Sequence, residues 1–181
     1  MKALIIYSSQ TGFTEKYSNW IAKDLQSDCI SIKKAKNINL SEYDTIIYGG
    51  WCCAGSINGL NWFNSKIAKL PEKENKKIVI FGVGASPIEN PDVTQSLEKI
   101  TNTVFSKIGK QLENLKVFYC PGGFNYEKMN TPSKIAMKMF IKMLESNKNK
   151  TEKDEVMIKM ISGSYDISDK RHIQPILDFV K

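Results

Sequence analysis

The sequence predicts an α/β protein built on a doubly wound, five-stranded parallel sheet with the strand order 2-1-3-4-5. Short apolar, β-branched runs alternate with longer stretches of helical periodicity, which is typical of this class. The runs are apolar on both faces, as expected of parallel strands that helices cover on either side. Sheets of this order bind ligands at the carboxyl ends of the first and third strands, so functional residues are expected in the loops there.

The strands, the helices between them and one insertion can be placed along the chain. The candidate strands are residues 2–8, 28–33, 45–49, 77–83 and 115–120. The helices between them begin near Thr14, Ile57 and Pro91, where apolar residues recur at helical spacing. Residues 122–169 break the alternation and are interpreted as an insertion before a last helix over residues 169–180. One apolar face is expected on this helix, formed by Ile173, Ile176, Leu177 and Val180. The whole chain, 1–181, is expected to form one domain.

The turn between the first strand and the first helix is rich in hydroxyls and carries no cation. It consists of Ser9-Gln10-Thr11-Gly12-Phe13-Thr14. A helix N-terminus presents free backbone N–H groups and the positive end of the helix dipole, so it can hold a phosphate without a charged side chain. The hydroxyls add donors, and Gly12 allows either a close approach of the backbone or a positive φ. The turn is interpreted as a cradle for a monophosphate; a hydroxyl-capped helix that binds nothing is the alternative.

This turn resembles the phosphate loop of the flavodoxins, usually Thr/Ser-x-Thr-Gly-x-Thr, which holds the phosphate of FMN. Ser9, Thr11, Gly12 and Thr14 match the pattern, and Phe13 stands where an Asn is common. The resemblance implies FMN as the cofactor.

The loop after the third strand is expected to face this turn across the sheet. Its candidate cofactor-binding residues are Gly50, Trp51, Cys52, Cys53, Ala54 and Gly55. A flavin ring needs a flat apolar neighbour and backbone donors along its polar edge, so Trp51 is a candidate for ring contact. A core tryptophan is the alternative. Gly50 and Gly55 are expected to let a backbone amide near the ring reorient when the flavin is reduced.

The fourth strand ends in a glycine-containing sequence, Gly82-Val83-Gly84-Ala85-Ser86-Pro87. It starts like a dinucleotide fingerprint, but Pro87 replaces the third glycine and no acidic residue ends a following strand, so NAD binding is disfavoured. In the flavodoxin layout this loop covers the pyrimidine edge of the flavin with backbone N–H groups, and the candidates are Gly84, Ala85 and Ser86; a tight turn is the alternative. Phe124 and Tyr126, after the fifth strand, are candidates for contact with the exposed flavin edge or for shaping a substrate pocket; ordinary packing is the alternative.

Composition and charge restrict the other function classes. The chain has 181 residues and a net charge of +7, and Arg171 is the only arginine among its many lysines. Readout of nucleic acids relies on Arg, so nucleic-acid binding is not expected. The cysteines lack the C-x-x-C spacing of zinc sites, and no metal site is predicted. His172, the only histidine, is interpreted as a surface or capping residue. The apolar start is too short for a signal peptide, so a cytoplasmic protein is expected.

One helix of the insertion is more apolar than packing on a sheet requires. Thr131-Pro132 is a start signal, with a capping hydroxyl and a proline at the first position. Apolar side chains then surround a narrow stripe of Lys134, Lys138 and Lys142. The surplus predicts a second contact of residues 131–145, with another protomer, a partner or a membrane surface; cover by the rest of the insertion is the alternative. Asn147–Asp154 is expected to be an exposed loop.

Over nearly its full length the chain resembles flavodoxin-fold proteins, and among them it is similar to the group containing the menaquinone-dependent protoporphyrinogen dehydrogenases. The similarity rests on the Lys-x-Leu-Ile-x-Tyr-Ser start, the glycine-rich third loop, the basic insertion helix and the short final helix. The group implies FMN, two-electron chemistry on a porphyrinogen and transfer of electrons to a membrane quinone.

Three hypotheses of different classes follow. The first is an FMN-dependent electron carrier or small oxidoreductase, whose partner is a redox protein or a quinone or tetrapyrrole. The second is a flavin-free interaction module on the same fold. The third is a thiol-based reductase that uses Cys52-Cys53 beside the flavin.

Overall fold

The central strands run parallel, in the order that the alternation of strands and helices predicts. The computed structural model of the protein describes residues 2–53, 55–108 and 112–181. The strands within these ranges are β1 (Ala3–Ser8), β2 (Asp28–Ser31), β3 (Thr45–Cys53), β4 (Ser56–Ile57), β5 (Lys77–Gly84), β6 (Leu115–Pro121), β7 (Gly123–Phe124) and β8 (Tyr165–Asp166). The helices are α1 (Phe13–Leu25), α2 (Leu60–Ala68), α3 (Pro91–Ile108), α4 (Thr131–Ser146), α5 (Glu152–Ile161) and α6 (Gln174–Val180).

The main sheet has the order β2-β1-β3-β5-β6, with β4 as a short antiparallel partner of β3. Counted over the parallel strands alone this is 2-1-3-4-5, which confirms the predicted doubly wound α/β class. The register places Ser8 of β1 and Gly82 of β5 on either side of Gly50 in β3. The carboxyl ends of these three strands therefore meet at one edge of the sheet, where the candidate loops begin.

Alternate residues of the strands contribute to two separate cores, because successive side chains of a strand point to opposite faces. One core joins Leu4, Ile46 and Ile78 to α2 and α3. The other joins Ile5, Ile47 and Val79 to α1 and α6. The apolar face predicted for the last helix lies in this second core, and all four of its members are buried: Ile173, Ile176, Leu177 and Val180.

Several element boundaries differ from those predicted. The second strand ends at Ser31 because the chain turns there, and the amides of Lys34 and Ala35 donate to the Ser31 carbonyl. The third strand continues to Cys53 because β4 folds back and pairs with it. The second helix consequently begins at Leu60 instead of near Ile57. A 3₁₀ turn also precedes α6, so the last helix is shorter than predicted.

The segment between β6 and α6 folds around a small core of its own, formed by Phe124, Leu144 and Ile161. Its helix α4 begins at Thr131, as predicted, but the predicted capping hydroxyl is wrong. Asn130 is the cap, and its side chain accepts a hydrogen bond from the Ser133 amide. In the described ranges no helix is long and apolar enough to cross a lipid bilayer.

The predicted loop after α4 is shorter than expected, because α5 begins at Glu152. Thr151 and Asp154 form a capping box, in which each side chain accepts a hydrogen bond from the other residue's amide. This arrangement satisfies amides of the first helical turn, and it lowers the pKa of Asp154 because the hydrogen bonds favour the carboxylate.

Tyr17 connects α1 to the end of β6 and to the segment before α6. Its hydroxyl donates to the Pro121 carbonyl (2.6 Å) and accepts from the Asp169 amide (3.1 Å). Burial raises the pKa of Tyr17, so the phenol stays neutral and keeps both hydrogen bonds at ordinary pH. One side chain thus joins three segments that are distant in the sequence.

We expect Tyr17→Phe to lower the free energy of unfolding by about 2 kcal/mol, because a buried carbonyl and a half-buried amide both lose their partner. Urea unfolding at pH 7 measures the change. Tyr43→Phe is the matched control, since Tyr43 is also buried but its hydroxyl makes no hydrogen bond within the described part of the chain. Its effect should stay within about 0.5 kcal/mol. Equal losses in the two variants would contradict the role of the Tyr17 hydroxyl.

Candidate functional site

The turn between β1 and α1 has the geometry of an open anion cradle. The chain turns at Gly12, whose φ is 99°, and no side chain caps the helix that follows. The amides at and just before the start of the helix donate no hydrogen bond within the described residues: those of Thr11, Phe13, Thr14 and Glu15. A Cβ at Gly12 would meet no atom within 4 Å, so the space beside it is open. Free amides at the positive end of a helix dipole favour a bound anion.

The hydroxyl side chains of this turn have different surroundings. Ser9 Oγ accepts a hydrogen bond from the Gly12 amide (3.2 Å), which closes the turn. Thr14 is 1% exposed, whereas Thr11 is half-buried. Thr11 is therefore the threonine of the turn that a ligand can reach from solvent.

Gln10 and Phe13 attach the turn to the segment between β6 and α6. Gln10 Nε2 donates to Ser133 Oγ in the first turn of α4 (3.0 Å). The Phe13 ring packs against β7, where a Cβ added to Gly123 would lie 2.9 Å from Phe13 Cζ. The Phe13 side chain, which stands where flavodoxins commonly have Asn, thus serves packing.

The nearest cation along α1 belongs to Lys16, and it is already paired. Lys16 Nζ donates to Asp166 (2.9 Å) and to Ser168 (2.7 Å). The hydrogen bonds from Ser168 and Lys16 lower the pKa of Asp166 against the opposing effect of burial. Any anion in the turn would therefore be held chiefly by amides and hydroxyls.

A cavity of about 380 Å³ adjoins the turn on the side of the insertion. Its walls come from α1 and its preceding turn, and from β7, β8 and the loops beside them. They include the stacked rings of Phe124 and Tyr165, whose centroids are 6.5 Å apart. The insertion therefore forms part of the surroundings of the cradle.

The chain beyond Gly50 is a hairpin of β3 and β4 instead of the predicted loop. A Cβ at Gly50 would lie 2.4 Å from the Asn58 carbonyl oxygen, so only glycine permits this close approach. A reorienting peptide at Gly50 is not favoured, because its backbone lies in the ladder between β1 and β5. Gly55, with a φ of 74° and open space around it, has the freedom that such a role needs. Ala54 lies outside the described residues.

Trp51 lies at the carboxyl edge of the sheet and belongs to neither of the two cores formed by the described residues. It is half-buried and pairs in register with Val83 of β5. The alternative of a core tryptophan is therefore not favoured, and contact with a cofactor ring stays a prediction.

Asn58, which the sequence analysis missed, joins the hairpin to the first strand. Its carboxamide oxygen accepts from Ser8 Oγ (2.6 Å), and its carbonyl accepts from the Tyr48 hydroxyl (2.6 Å). The Asn-Gly dipeptide at this position is a strong turn signal, and it could have indicated the change of direction before α2.

The adjacent cysteines Cys52 and Cys53 are free and differ in exposure. Both lie in the extended strand β3, so their side chains point to opposite faces. Cys52 Sγ lies against Gly82, where a Cβ would be 2.7 Å away, and burial raises the pKa of Cys52 to about 12. Cys53 is exposed. A redox pair made of these two thiols does not fit this geometry.

The loop after β5 is held by two tyrosines that the sequence analysis did not select. Tyr165 donates to the Ala85 carbonyl (2.9 Å), and Tyr119 donates to the Ser86 carbonyl (2.7 Å). Burial raises the pKa of both phenols, so both remain donors. Because the carbonyl of Ala85 and the amide of Ser86 point in opposite directions across a trans peptide, the Ser86 amide is directed away from Tyr165. A Cβ at Gly84 would lie 2.5 Å from the Tyr119 hydroxyl, so a larger residue at this position would displace the tyrosine.

The remaining candidates have structural surroundings. Phe124 is buried in the core of the insertion, and Tyr126 packs against that core with Lys134 over its ring. His172 lies half-buried in the 3₁₀ turn before α6, and its carbonyl accepts a weak hydrogen bond from the Cys120 thiol (3.8 Å). Ordinary packing, the alternative for the two aromatic residues, accounts for their positions.

The strand order and the position of the open turn define a doubly wound α/β protein. Within that class the chain belongs to the family described as Flavodoxin domain, whose family model matches residues 4–152. The flavodoxin-like domain-containing protein BilS of Clostridioides difficile (strain CD3) is 32% identical over 130 residues, which cover 67% of this chain and 66% of that protein. The match thus spans just under two thirds of that relative.

Among solved structures the chain is similar to two flavoproteins. Oxidised flavodoxin 2 from Bacillus cereus is 20% identical with a TM-score of 0.48, over 66% of this chain and 84% of that chain. A flavoprotein from Lactobacillus acidophilus NCFM in complex with FMN is 15% identical with a TM-score of 0.46, over 66% and 91%.

We expect one cysteine, Cys53, to react rapidly with Ellman's reagent at pH 8 in the folded protein. Burial raises the pKa of Cys52 to about 12 and that of Cys29 to about 11, so these thiols stay protonated and react slowly with the reagent. Stopped-flow absorbance measures the rates. Cys53→Ser should remove the fast phase and Cys52→Ser should leave it; a fast phase lost in Cys52→Ser would show that the buried thiol is reactive.

Proposed function

We propose that this protein binds FMN and exchanges electrons with a redox partner. The observation that carries the proposal is the uncapped first turn of α1, with its free amides and open space beside Gly12. This donor set fits a phosphate monoester, because neutral amides and a hydroxyl can hold a doubly negative group at a helix N-terminus. Membership of the Flavodoxin domain family supports the same ligand.

The residues that would hold the ring lie along the same edge of the sheet. Trp51 would supply an apolar face, and Gly55 and the Ser86 amide would meet polar ring atoms. Since Trp51 is in register with Val83, the hairpin and the loop after β5 begin side by side. When bound, FMN would supply the capacity to accept and release electrons.

The surroundings of these loops favour electron transfer over catalysis on a small substrate. The phenols of Tyr119 and Tyr165 already donate to backbone carbonyls, and the Cys52 thiol is buried. None of these groups is free to move a proton to or from a substrate. The protein would thus bind and orient the cofactor, and electrons would be exchanged at the exposed edge of the flavin.

Oxidation of a porphyrinogen with a quinone acceptor is the second candidate. It is favoured by the exposed Lys138 and Lys142 on α4, the helix whose first turn is bonded to the phosphate turn, because ammonium groups attract an acidic tetrapyrrole. Turnover of protoporphyrinogen with a menaquinone analogue would support this candidate. A purified flavin-loaded protein that neither oxidises protoporphyrinogen nor reduces the menaquinone analogue would leave electron transfer as the function.

The absorbance spectrum of the purified protein, followed by titration of the flavin-free protein with FMN, tests the cofactor. Oxidised flavin bands and quenching of FMN fluorescence are the expected results. A folded protein that is colourless and does not quench added FMN would overturn the proposal and favour a flavin-free interaction module.

We expect Thr11→Glu to weaken FMN binding at least about tenfold, because a carboxylate at the mouth of the turn repels the phosphate. Thr11→Ser is the matched control and should bind within about twofold of the wild type, since it keeps the hydroxyl. Fluorescence titration measures both affinities. Riboflavin, which lacks the phosphate, separates the two ends of the site: its affinity should be the same in all three proteins. A parallel loss of riboflavin binding would place the effect outside the phosphate turn.

A further inference from the structure

Helix α4 presents an apolar ridge to solvent. Three large side chains at four-residue spacing are 55%, 68% and 61% exposed: Ile135, Met139 and Met143. We call them the α4 ridge. The opposite face of the helix, with Met137, Ile141 and Leu144, packs into the core of the insertion. The rest of the described insertion therefore does not cover the ridge, and cover by the insertion, the alternative to a second contact, does not account for it.

Lysines flank the ridge along one side. Lys138 and Lys142 are exposed, and each directly precedes a ridge methionine. Residues four apart lie on the same face, so the two ammonium groups form a row between the ridge and the buried face. Glu145, the one acidic residue of the helix, follows Lys142 by three residues and so ends this row, which keeps a net positive charge. A surface that is apolar in the middle and positive along one side complements an acidic rim around an apolar patch.

The ridge starts close to the candidate cofactor site. The first turn of α4 is bonded to the turn before α1 through Ser133 and Gln10 (3.0 Å), and Ile135 follows two residues later. A partner on the ridge would thus lie beside the candidate site. Methionine side chains are flexible and polarisable, so they adapt to partners that bind briefly.

We propose that the α4 ridge, with Lys138 and Lys142, docks an acidic redox protein, the one with which the bound flavin exchanges electrons. This proposal rests on the proposed function for the class of the partner. Its docking surface rests only on the exposure and charge of α4. A contact made by one helical ridge belongs to the small end of protein interfaces, as transient redox complexes do.

Two other occupants are less favoured by the same observations. Glu152 and Glu155 are exposed in the first turn of α5, the helix that contacts α4, and their carboxylates disfavour an anionic bilayer at this end of the protein. A second copy of the chain would bring lysine rows of equal sign together, in a protein that already carries a net charge of +7. A protein partner can place its acidic side chains only where the lysines are.

The test uses a plant-type [2Fe–2S] ferredoxin as the acidic redox protein and basic cytochrome c as the control of opposite charge. Hydrogen–deuterium exchange of the full chain, with and without each protein, is measured at low salt and in about 0.5 M NaCl. Ferredoxin should slow exchange in the peptides covering α4 at low salt, and high salt should abolish the effect. Cytochrome c should leave α4 unchanged.

Two double variants and one matched control test the surface by titration calorimetry with ferredoxin. Lys138→Glu with Lys142→Glu, and Met139→Gln with Met143→Gln, should each weaken binding at least about fivefold. Lys99→Glu with Lys107→Glu changes the same charge on exposed positions of α3 and should bind within about twofold of wild type. All the replaced side chains are exposed, so the fold is expected to survive, and circular dichroism checks it.

Each other outcome would overturn the proposal. Absence of ferredoxin binding, or an equal loss of affinity in the α3 control variant, would show that α4 is not the docking surface. Binding to phosphatidylserine vesicles that the α4 substitutions abolish would identify a membrane as the occupant. A concentration-dependent dimer that the α4 substitutions dissociate would identify a second copy of the chain. Failure of the proposed function is distinguishable, because exchange and calorimetry also work on flavin-free protein. A protein that binds ferredoxin through α4 but does not bind FMN would support the docking surface and contradict the proposed cofactor.

Discussion

The first turn of α1 and its free amides are the constraint on which the rest of the site depends. Helix starts are usually capped by a side chain, and a missing cap costs about 0.5–2 kcal/mol. Here Ser9 Oγ bonds to Gly12, and Gln10 reaches Ser133, so neither side chain caps the helix. The neighbouring contacts fix the turn and leave its donors unused. Donors held in place before an anion arrives spare the ordering cost of binding, which is the physical basis of preorganisation.

The sheet fixes the position of the second wall of the site relative to this turn. Gly50 of β3 pairs with β1 on one side and with β5 on the other. Because it has no Cβ, the Asn58 carbonyl can pack directly against its backbone. Asn58 then accepts the Ser8 hydroxyl at the end of β1. The hairpin that carries Trp51 is thereby joined to the strand that leads into the turn. Two segments about fifty residues apart in the sequence thus act as one rigid edge, because a strand ladder and a side-chain hydrogen bond connect them.

The sequence was sufficient for the features that depend on local pattern. Apolar periodicity predicted the parallel strands and their order, and the glycine among hydroxyls offered two alternatives at Gly12, of which the structure shows the positive φ. Features that depend on distant partners had no such signal. The bond from Tyr165 to Ala85 joins residues 80 positions apart, and no pattern around either residue indicates it. The continuation of β3 to Cys53 was missed because Gly49-Gly50 resembles the end of a strand, whereas the close packing of Phe81 and Asn58 against these residues requires glycines inside it.

The insertion and the turn are mechanically connected, which makes the α4 surface and the candidate cofactor site thermodynamically related. Gln10 bonds to α4, the Phe13 ring packs on β7, and Lys16 pairs with Asp166 of β8. An anion that tightens the turn would act on all three contacts. By linkage, any change that it causes in the affinity of α4 for a partner must equal the change that the partner causes in the affinity of the turn for the anion. A partner docked on the ridge would therefore sense the ligand of the cradle to the extent that the anion shifts these three contacts, and no separate switch would be needed.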